Sequence, residues 1–95
     1  MDTRLFELRL HCYRAAVEYH RVLGLWCAAK GSSVSSEGVA SLVPELNKAA
    51  ATYGDALEQL MSYLTTLEPT KTVMEEKDRT SKFKELLYRE LRLIF

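Results

Sequence analysis

Two histidines and two cysteines are the residues of this 95-residue chain best suited to bind a transition metal or to act as a thiol nucleophile with its base. His11 and His20 are nine residues apart in one helical pattern, whereas two metal ligands on a helix need a spacing of three or four. His11 and Cys12 are adjacent, so their side chains diverge around a helix and cannot work together as a base and a thiol. We therefore predict neither a metal site nor a catalytic cysteine.

Motifs for other chemistry are missing from the sequence as well. It has no glycine-rich phosphate loop and no Gly-x-Ser-x-Gly motif. The adjacent carboxylates Glu75 and Glu76 lie in a charged run, which we interpret as a solvated helix face. A small helical bundle also offers little concave volume for a substrate. We predict a protein that is not an enzyme and that has no cofactor.

The cysteines also indicate the compartment. Cys12 and Cys27 are 15 residues apart in one predicted helix, or roughly 22 Å, whereas a disulfide needs Cα atoms within about 7 Å. Both are expected to be free thiols, buried as small apolar side chains. Charges are spread through the N-terminus, which is unlike a secretory signal, and no apolar run approaches the length of a membrane span. We predict a cytoplasmic or nuclear protein.

Composition and charge indicate the kind of fold and exclude one kind of partner. Hydrophobic residues make up 47% of the chain and charged residues 27%, which is typical of a globular protein. Four glycines and two prolines allow few turns, so residues 1–95 are expected to form a single helical domain. The 13 basic and 13 acidic side chains balance, and this argues against nucleic acid as a partner.

The elements that carry these residues are helices. Between Thr3 and Ala29, apolar residues recur every three or four positions, which predicts one long helix that begins with Asp2 or Thr3 as its cap. Two apolar stripes lie side by side, so the apolar face is wide enough for two neighbouring helices. The first stripe is Leu5, Leu8, Cys12, Ala15, Tyr19, Val22, Trp26 and Ala29, and the second stripe is Phe6, Leu10, Tyr13, Val17, His20 and Cys27.

The middle of the chain continues this periodicity from Val39 to Leu67, with Pro44 inside it. Pro44 either kinks one helix that runs from about Ser36 to Leu67, or begins the main helix after a separate short helix over residues 36–43. The apolar stripe keeps its phase across the proline, which favours one kinked helix. The serine-rich residues 31–36 form the linker before it.

A third helix is predicted after Pro69, which disfavours helical structure at the residue before it. Eight residues between Met74 and Phe83 have no apolar side chain, so residues 70–77 are either the solvated start of this helix or a loop. The helix is well defined from about Asp78 onward. The three segments predict an all-α fold, an antiparallel three-helix bundle, with four helices if residues 36–43 form their own.

Charge is unevenly distributed among the three segments. Residues 2–30 carry five basic and three acidic side chains, residues 37–68 carry one and five, and residues 71–92 carry seven and five. The acidic middle segment can complement the two basic segments within the bundle. It can also present an acidic face to a basic partner. The sequence leaves both interpretations open.

Part of the middle helix resembles a known family. The stretch Tyr53-Gly-Asp-Ala56-Leu57, followed by Leu60, Tyr63 and Leu64, looks like the middle helix of MIT domains. In that family a Tyr-Glu-x-Ala-Leu motif is followed by further apolar residues at helical spacing. The resemblance implies a three-helix bundle in a trafficking protein, with interhelical grooves that bind short amphipathic segments of partners. It assigns no groove residue in this chain.

Wide apolar helices without catalytic chemistry predict a protein-binding module. Our first hypothesis is an adaptor or scaffold that binds an amphipathic helix of a partner. The alternatives are a homodimer in which a second chain covers the surplus apolar face, and a bundle that binds a membrane surface through its basic third helix. The nine aromatic side chains are expected mostly in the core. The candidate partner-binding residues are Leu25, Trp26, Leu93, Ile94 and Phe95.

Overall fold

A computed structural model describes residues 2–31 and 36–95 of the chain. Within these ranges it has three helices, α1 (Thr3–Gly31), α2 (Ser36–Thr66) and α3 (Lys71–Ile94), and no strand. The predicted all-α three-helix fold is confirmed. The linker predicted over residues 31–36 falls mainly on residues outside the described ranges. No helix in the described ranges is long and apolar enough to cross a membrane.

Neighbouring helices run in opposite directions. The Tyr63 hydroxyl, near the end of α2, donates a hydrogen bond at 2.8 Å to Asp2, just before α1. α3 follows α2 after the connection 67–70 and packs back along it, so that Leu87 lies over Gly54. α1 and α3 are therefore parallel to each other, and both lie against α2. The Cα trace measures 52 × 22 × 15 Å, so the bundle is long and flattened.

Side-chain caps determine where two of the helices begin. Asp2 accepts a hydrogen bond at 3.1 Å from the backbone N–H of Leu5, which confirms Asp2 as the cap of α1. Thr70 accepts one at 3.3 Å from the N–H of Val73 and has extended backbone, so α3 begins at Lys71. Residues 71–77 are thus helical, so of the two alternatives for residues 70–77 the start of the helix is confirmed and the loop is wrong.

Pro44 lies inside a continuous helix. α2 runs from Ser36 to Thr66 without interruption, so the alternative of a separate short helix over 36–43 is wrong. Val43 and Leu46, on either side of the proline, pack on the same core. Burial of this apolar stripe offsets the backbone hydrogen bond that Pro44 cannot make.

The core is formed mainly by α1 and α2. α3 contributes one fully buried apolar side chain, Leu87, and its two other buried residues in the described part are polar, Glu76 and Thr80. The α1–α2 hairpin therefore has a core of its own, whereas α3 is held partly by polar contacts. The buried apolar residues of the hairpin are Leu8, Cys12, Ala15, Tyr19, Val22, Trp26, Leu46, Ala49, Ala50, Tyr53, Ala56, Leu57, Leu60 and Leu64.

The second apolar stripe of α1 is largely uncovered. Phe6, Tyr13 and Val17 are each more than half exposed, and His20 and Cys27 are exposed too. The expectation that two neighbouring helices cover the wide face of α1 is wrong for this stripe, because α2 covers only the first one. The second apolar stripe of α1 is therefore exposed apolar surface in the structure.

The expectation that most aromatic side chains lie in the core is also wrong. Tyr19, Trp26 and Tyr53 are buried and Tyr63 is partly buried. Cys27 is exposed, so its predicted burial fails as well, while Cys12 is buried as expected. Five aromatic residues are exposed: Phe6, Tyr13, Phe83, Tyr88 and Phe95.

Candidate partner-binding groove

A groove runs between α1 and α3 on one face of the bundle. Both helices pack against α2, but in the described ranges no Cα atom of α1 comes within 8 Å of one in α3. The separation leaves a hollow of about 330 Å³ with α2 beneath it. We call it the α1–α3 groove. Its floor consists of Tyr53, Leu57 and Leu60.

Aromatic side chains form the two walls of the groove. Tyr13 of α1 is 69% exposed and Phe83 of α3 is 50% exposed, although both line the hollow. Ala16 of α1 also lines the hollow. Phe6 and Val17 share the exposed face of Tyr13, at helical spacing from it. A contiguous exposed apolar patch of this kind marks an interaction surface.

One end of the α1–α3 groove is charged. The guanidinium of Arg9 donates two hydrogen bonds to the carboxylate of Glu76, one of them from Nε at 2.7 Å. Glu76 is buried. The hydrogen bonds from Arg9 hold the pKa of the Glu76 carboxyl below its usual range, although burial by itself would raise this pKa. Arg79 lowers this pKa further and lines the groove, and no ion pair joins it to another described residue.

The other end of the groove is aromatic. Tyr19 is fully buried, and its hydroxyl donates a hydrogen bond at 3.2 Å to the Glu90 carboxylate. Its ring centroid lies 5.7 Å from that of Tyr53 and 5.2 Å from that of His20. Burial raises the pKa of both tyrosines, and the charge of Glu90 adds to the effect. Both phenols therefore stay neutral at physiological pH.

The thiol beneath the groove is not a reactive group. Cys12 lies under the hollow and donates a hydrogen bond at 3.1 Å to the carbonyl oxygen of Ala56. Burial, and secondly the charge of Glu76, raises the pKa of the thiol to about 11, so the nucleophilic thiolate is scarce at neutral pH. In the described ranges no group of three or more His, Cys, Asp or Glu side chains could hold a metal ion. The groove thus offers apolar surface and charge.

The two thiols should react with Ellman's reagent at very different rates. Cys27 is exposed and should react at once, whereas Cys12 is buried with a raised pKa and should react only when the chain opens. Thiol titration should therefore find one reactive thiol per chain in buffer and two in denaturant. In Cys27→Ser the fast reaction should disappear. Fast labelling of Cys12 in that variant would contradict its burial.

The first predicted partner-binding patch lies away from the groove. Leu25 is 46% exposed, but Trp26 is 9% exposed and belongs to the core. The ammonium group of Lys30 lies 4.6 Å from the centre of the indole ring and covers it further. The indole N–H of Trp26 has no hydrogen-bond partner among the residues that the structure describes. Neither predicted residue lines the α1–α3 groove.

The second predicted patch is at the end of α3. Leu93 is 82% exposed and Phe95 57%, whereas Ile94 packs partly against the core. The backbone N–H of Phe95 donates a hydrogen bond to the carbonyl oxygen of Leu91 at 2.8 Å and closes the helix. These residues do not line the α1–α3 groove either.

The second apolar stripe of α1 identifies two of the groove residues, Tyr13 and His20. No signal pointed to Glu76, and its predicted place on a solvated face is wrong. The residue that neutralises its charge, Arg9, lies 67 positions earlier in the chain, and no local pattern connects the two. Phe83, which the apolar pattern predicts in the core, is instead a wall of the groove.

No protein-family model matches the chain, and no match was found among curated proteins or among solved structures. The resemblance to MIT domains stays a prediction, which rests on the residues of α2 between Tyr53 and Leu64.

Proposed function

We propose that this chain is a non-catalytic adaptor that binds an amphipathic helix of a partner protein in the α1–α3 groove. The observation that carries the proposal is the separation of these two helices. Both lie on α2, and the apolar side chains between and beside them are left exposed. A fourth helix in this position would bury both walls at once, as in a four-helix bundle.

The dimensions of the groove suit a short helix. Along α1 it extends from Arg9 to His20, which is roughly 16 Å or three helical turns. Apolar side chains at i, i+4 and i+7 of a bound helix would contact Tyr13, Phe83 and the floor at Leu57. Aromatic residues that are partly exposed before binding and buried afterwards contribute most to the affinity of such interfaces.

The proposal includes a reducing compartment, the cytoplasm or nucleus. Both cysteines are free in the structure, and exposed Cys27 would be oxidised readily in a secreted protein.

A display selection tests the proposal with a defined probe. The library consists of helices of about four turns with leucine fixed at i, i+4, i+7 and i+11 and all other positions randomised. We expect the full chain to enrich binders from it. Tyr13→Ala combined with Phe83→Ala should weaken the selected peptides by roughly tenfold or more, because both anchors are lost. Fluorescence anisotropy with labelled peptide measures the change.

Tyr88→Ala is the matched control for this test. Tyr88 is an exposed aromatic residue of α3 that does not line the groove, so the affinity should change less than about twofold. The absence of any enriched peptide would contradict the adaptor proposal. Peptides that bind equally well to the double variant and to the unchanged chain would contradict it too.

A homodimer is the second candidate, and the same exposed stripe of α1 favours it. Phe6, Tyr13 and Val17 of two chains could meet about a twofold axis and bury each other. Sedimentation at micromolar concentration separates the candidates. A monomer supports the adaptor, whereas a dimer that dissociates in Tyr13→Ala supports self-association and contradicts the adaptor.

A further inference from the structure

We infer that the helix bound in the α1–α3 groove is acidic, with aspartate or glutamate beside its apolar stripe, and that one of these carboxylates pairs with Arg79. The inference rests on the proposed function and adds the chemistry of the partner to it. Three observations support it. The helices that form the walls have a net positive charge, the acidic residue in the groove is already hydrogen-bonded, and the exposed surface of α2 is acidic and polar.

The helices that form the walls are the basic ones. Residues 2–30 and 71–92 together carry twelve basic and eight acidic side chains, a net charge of +4. The floor between them is uncharged, because α2 presents Tyr53, Leu57 and Leu60 there. A bound helix therefore faces the two basic helices, and no acidic residue of α2 in the described ranges lines the groove. One of them, Glu58, pairs with Lys84 of α3.

The acidic residue that lines the groove, Glu76, is already engaged. Its carboxylate accepts two hydrogen bonds from the guanidinium of Arg9. Glu90 lies on α3 outside the lining, and its carboxylate accepts a hydrogen bond from the hydroxyl of Tyr19. Glu75 is exposed on α3 but does not line the groove. Among the described residues that line the groove, the guanidinium of Arg79 is the charge that no ion pair engages, and it acts on Glu76 only at longer range. Complementarity therefore favours a carboxylate on the partner.

A second copy of the chain fits the groove less well than an acidic partner does. Its own groove face is equally basic, so two such faces would bring like charges together. Its acidic side is the exposed surface of α2, where Glu45 and Asp55 lie among polar residues and Glu58 is paired with Lys84 of α3. That face has no apolar stripe to fill the groove. Neither surface of a second copy combines negative charge with apolar anchors.

Arg79 is positioned to form an ion pair with a carboxylate of the bound helix. It lies at the same end as the Arg9–Glu76 pair, beside the aromatic wall formed by Phe83. A bound helix would exclude water from this end, and an ion pair there is stronger than one on an open surface. Added salt should weaken such a pair and leave the apolar contacts nearly unchanged.

The helices selected from the display library test the inference through their sequences. Among randomised positions next to the leucine stripe, Asp and Glu should outnumber Lys and Arg. With the tightest peptide as probe, Arg79→Glu should weaken binding by roughly tenfold, because attraction becomes repulsion. Arg79→Gln should weaken it by roughly threefold. Sodium chloride should weaken binding to the unchanged chain more than to Arg79→Gln.

Lys48→Glu is the matched control. It makes the same change in net charge on the opposite face, where Lys48 is exposed in the hollow between α1 and α2. It should change the affinity less than about twofold. Enriched helices without an acidic excess, or equal losses in Arg79→Glu and Lys48→Glu, would overturn the inference and leave the adaptor proposal standing. If the selection yields no binders, or if the binders tolerate Tyr13→Ala combined with Phe83→Ala, both the adaptor proposal and the acidic-partner inference are overturned.

Discussion

Replacing Leu87 with alanine should lower the free energy of unfolding by about 3 kcal/mol, within the range of about 2–5 kcal/mol for a buried leucine. Leu87 is 1% exposed and packs over Gly54, where α2 has no side chain to fill the space that the substitution leaves. A chain of this length has a total stability of roughly 5–14 kcal/mol, so the loss is a large share of it. Urea unfolding followed by circular dichroism measures the change.

The effect of Leu87→Ala should fall on α3 first. Leu87 is the single fully buried apolar side chain of this helix in the described part, whereas α1 and α2 share a continuous core. Hydrogen exchange measured by mass spectrometry should show residues 71–94 exchanging faster in the variant, by local opening of α3 from the hairpin. Residues 3–31 should keep most of their protection.

Leu86→Ala is the control for this prediction. It removes the same atoms one position earlier, from a side chain that is 48% exposed, and should cost less than about 1 kcal/mol. Equal costs for the two variants would contradict the assigned role of Leu87. A uniform loss of protection across all three helices would show that α3 does not open separately.

The contrast between α3 and the hairpin also explains what the sequence could predict. In α1 and α2 the apolar spacing is unbroken, and burial follows it: Leu8, Val22, Leu46 and Leu64 all lie in the core. Apolar periodicity reports burial by packing, and the hairpin is built by packing. The same reasoning identified the surplus stripe of α1, but it could not say whether a third helix covers that stripe.

The start of α3 was harder to predict because polar contacts replace apolar ones there. Glu76 and Thr80 are buried, and Thr80 donates a hydrogen bond at 2.8 Å to the backbone carbonyl of Glu76. A charged run in the sequence normally indicates a solvated helix face. Glu76 is buried nevertheless, because Arg9 on another helix pairs with its charge. The α1–α3 groove could not be predicted for a similar reason. It depends on the distance between α1 and α3, which the apolar periodicity of either helix does not report.

Arg9→Met should lower the free energy of unfolding by roughly 1–3 kcal/mol at neutral pH. The substitution keeps most of the aliphatic stem of Arg9 but removes the guanidinium that pairs with Glu76. The side chain of Glu76 is 9% exposed, so its carboxylate would be left in a desolvated place without its main partner. The side chain of Arg9 is 49% exposed, which allows water to replace part of the lost contact and limits the cost. Urea unfolding at a series of pH values measures it.

The cost should depend on pH with a definite sign. Arg9 depresses the pKa of Glu76 in the folded chain, so the pair contributes fully above the ordinary glutamate pKa of about 4.3. That contribution is lost as the pH falls through the depressed value. In Arg9→Met the burial of Glu76 persists and raises its pKa, so acid should protonate the stranded carboxyl and reduce the difference from the unchanged chain. Glu76→Gln, which cannot titrate, should make the Arg9→Met cost small and independent of pH. A cost that stays the same from neutral pH to pH values below about 4 in the chain that keeps Glu76 would contradict the Arg9–Glu76 pair as a stabilising link between α1 and α3.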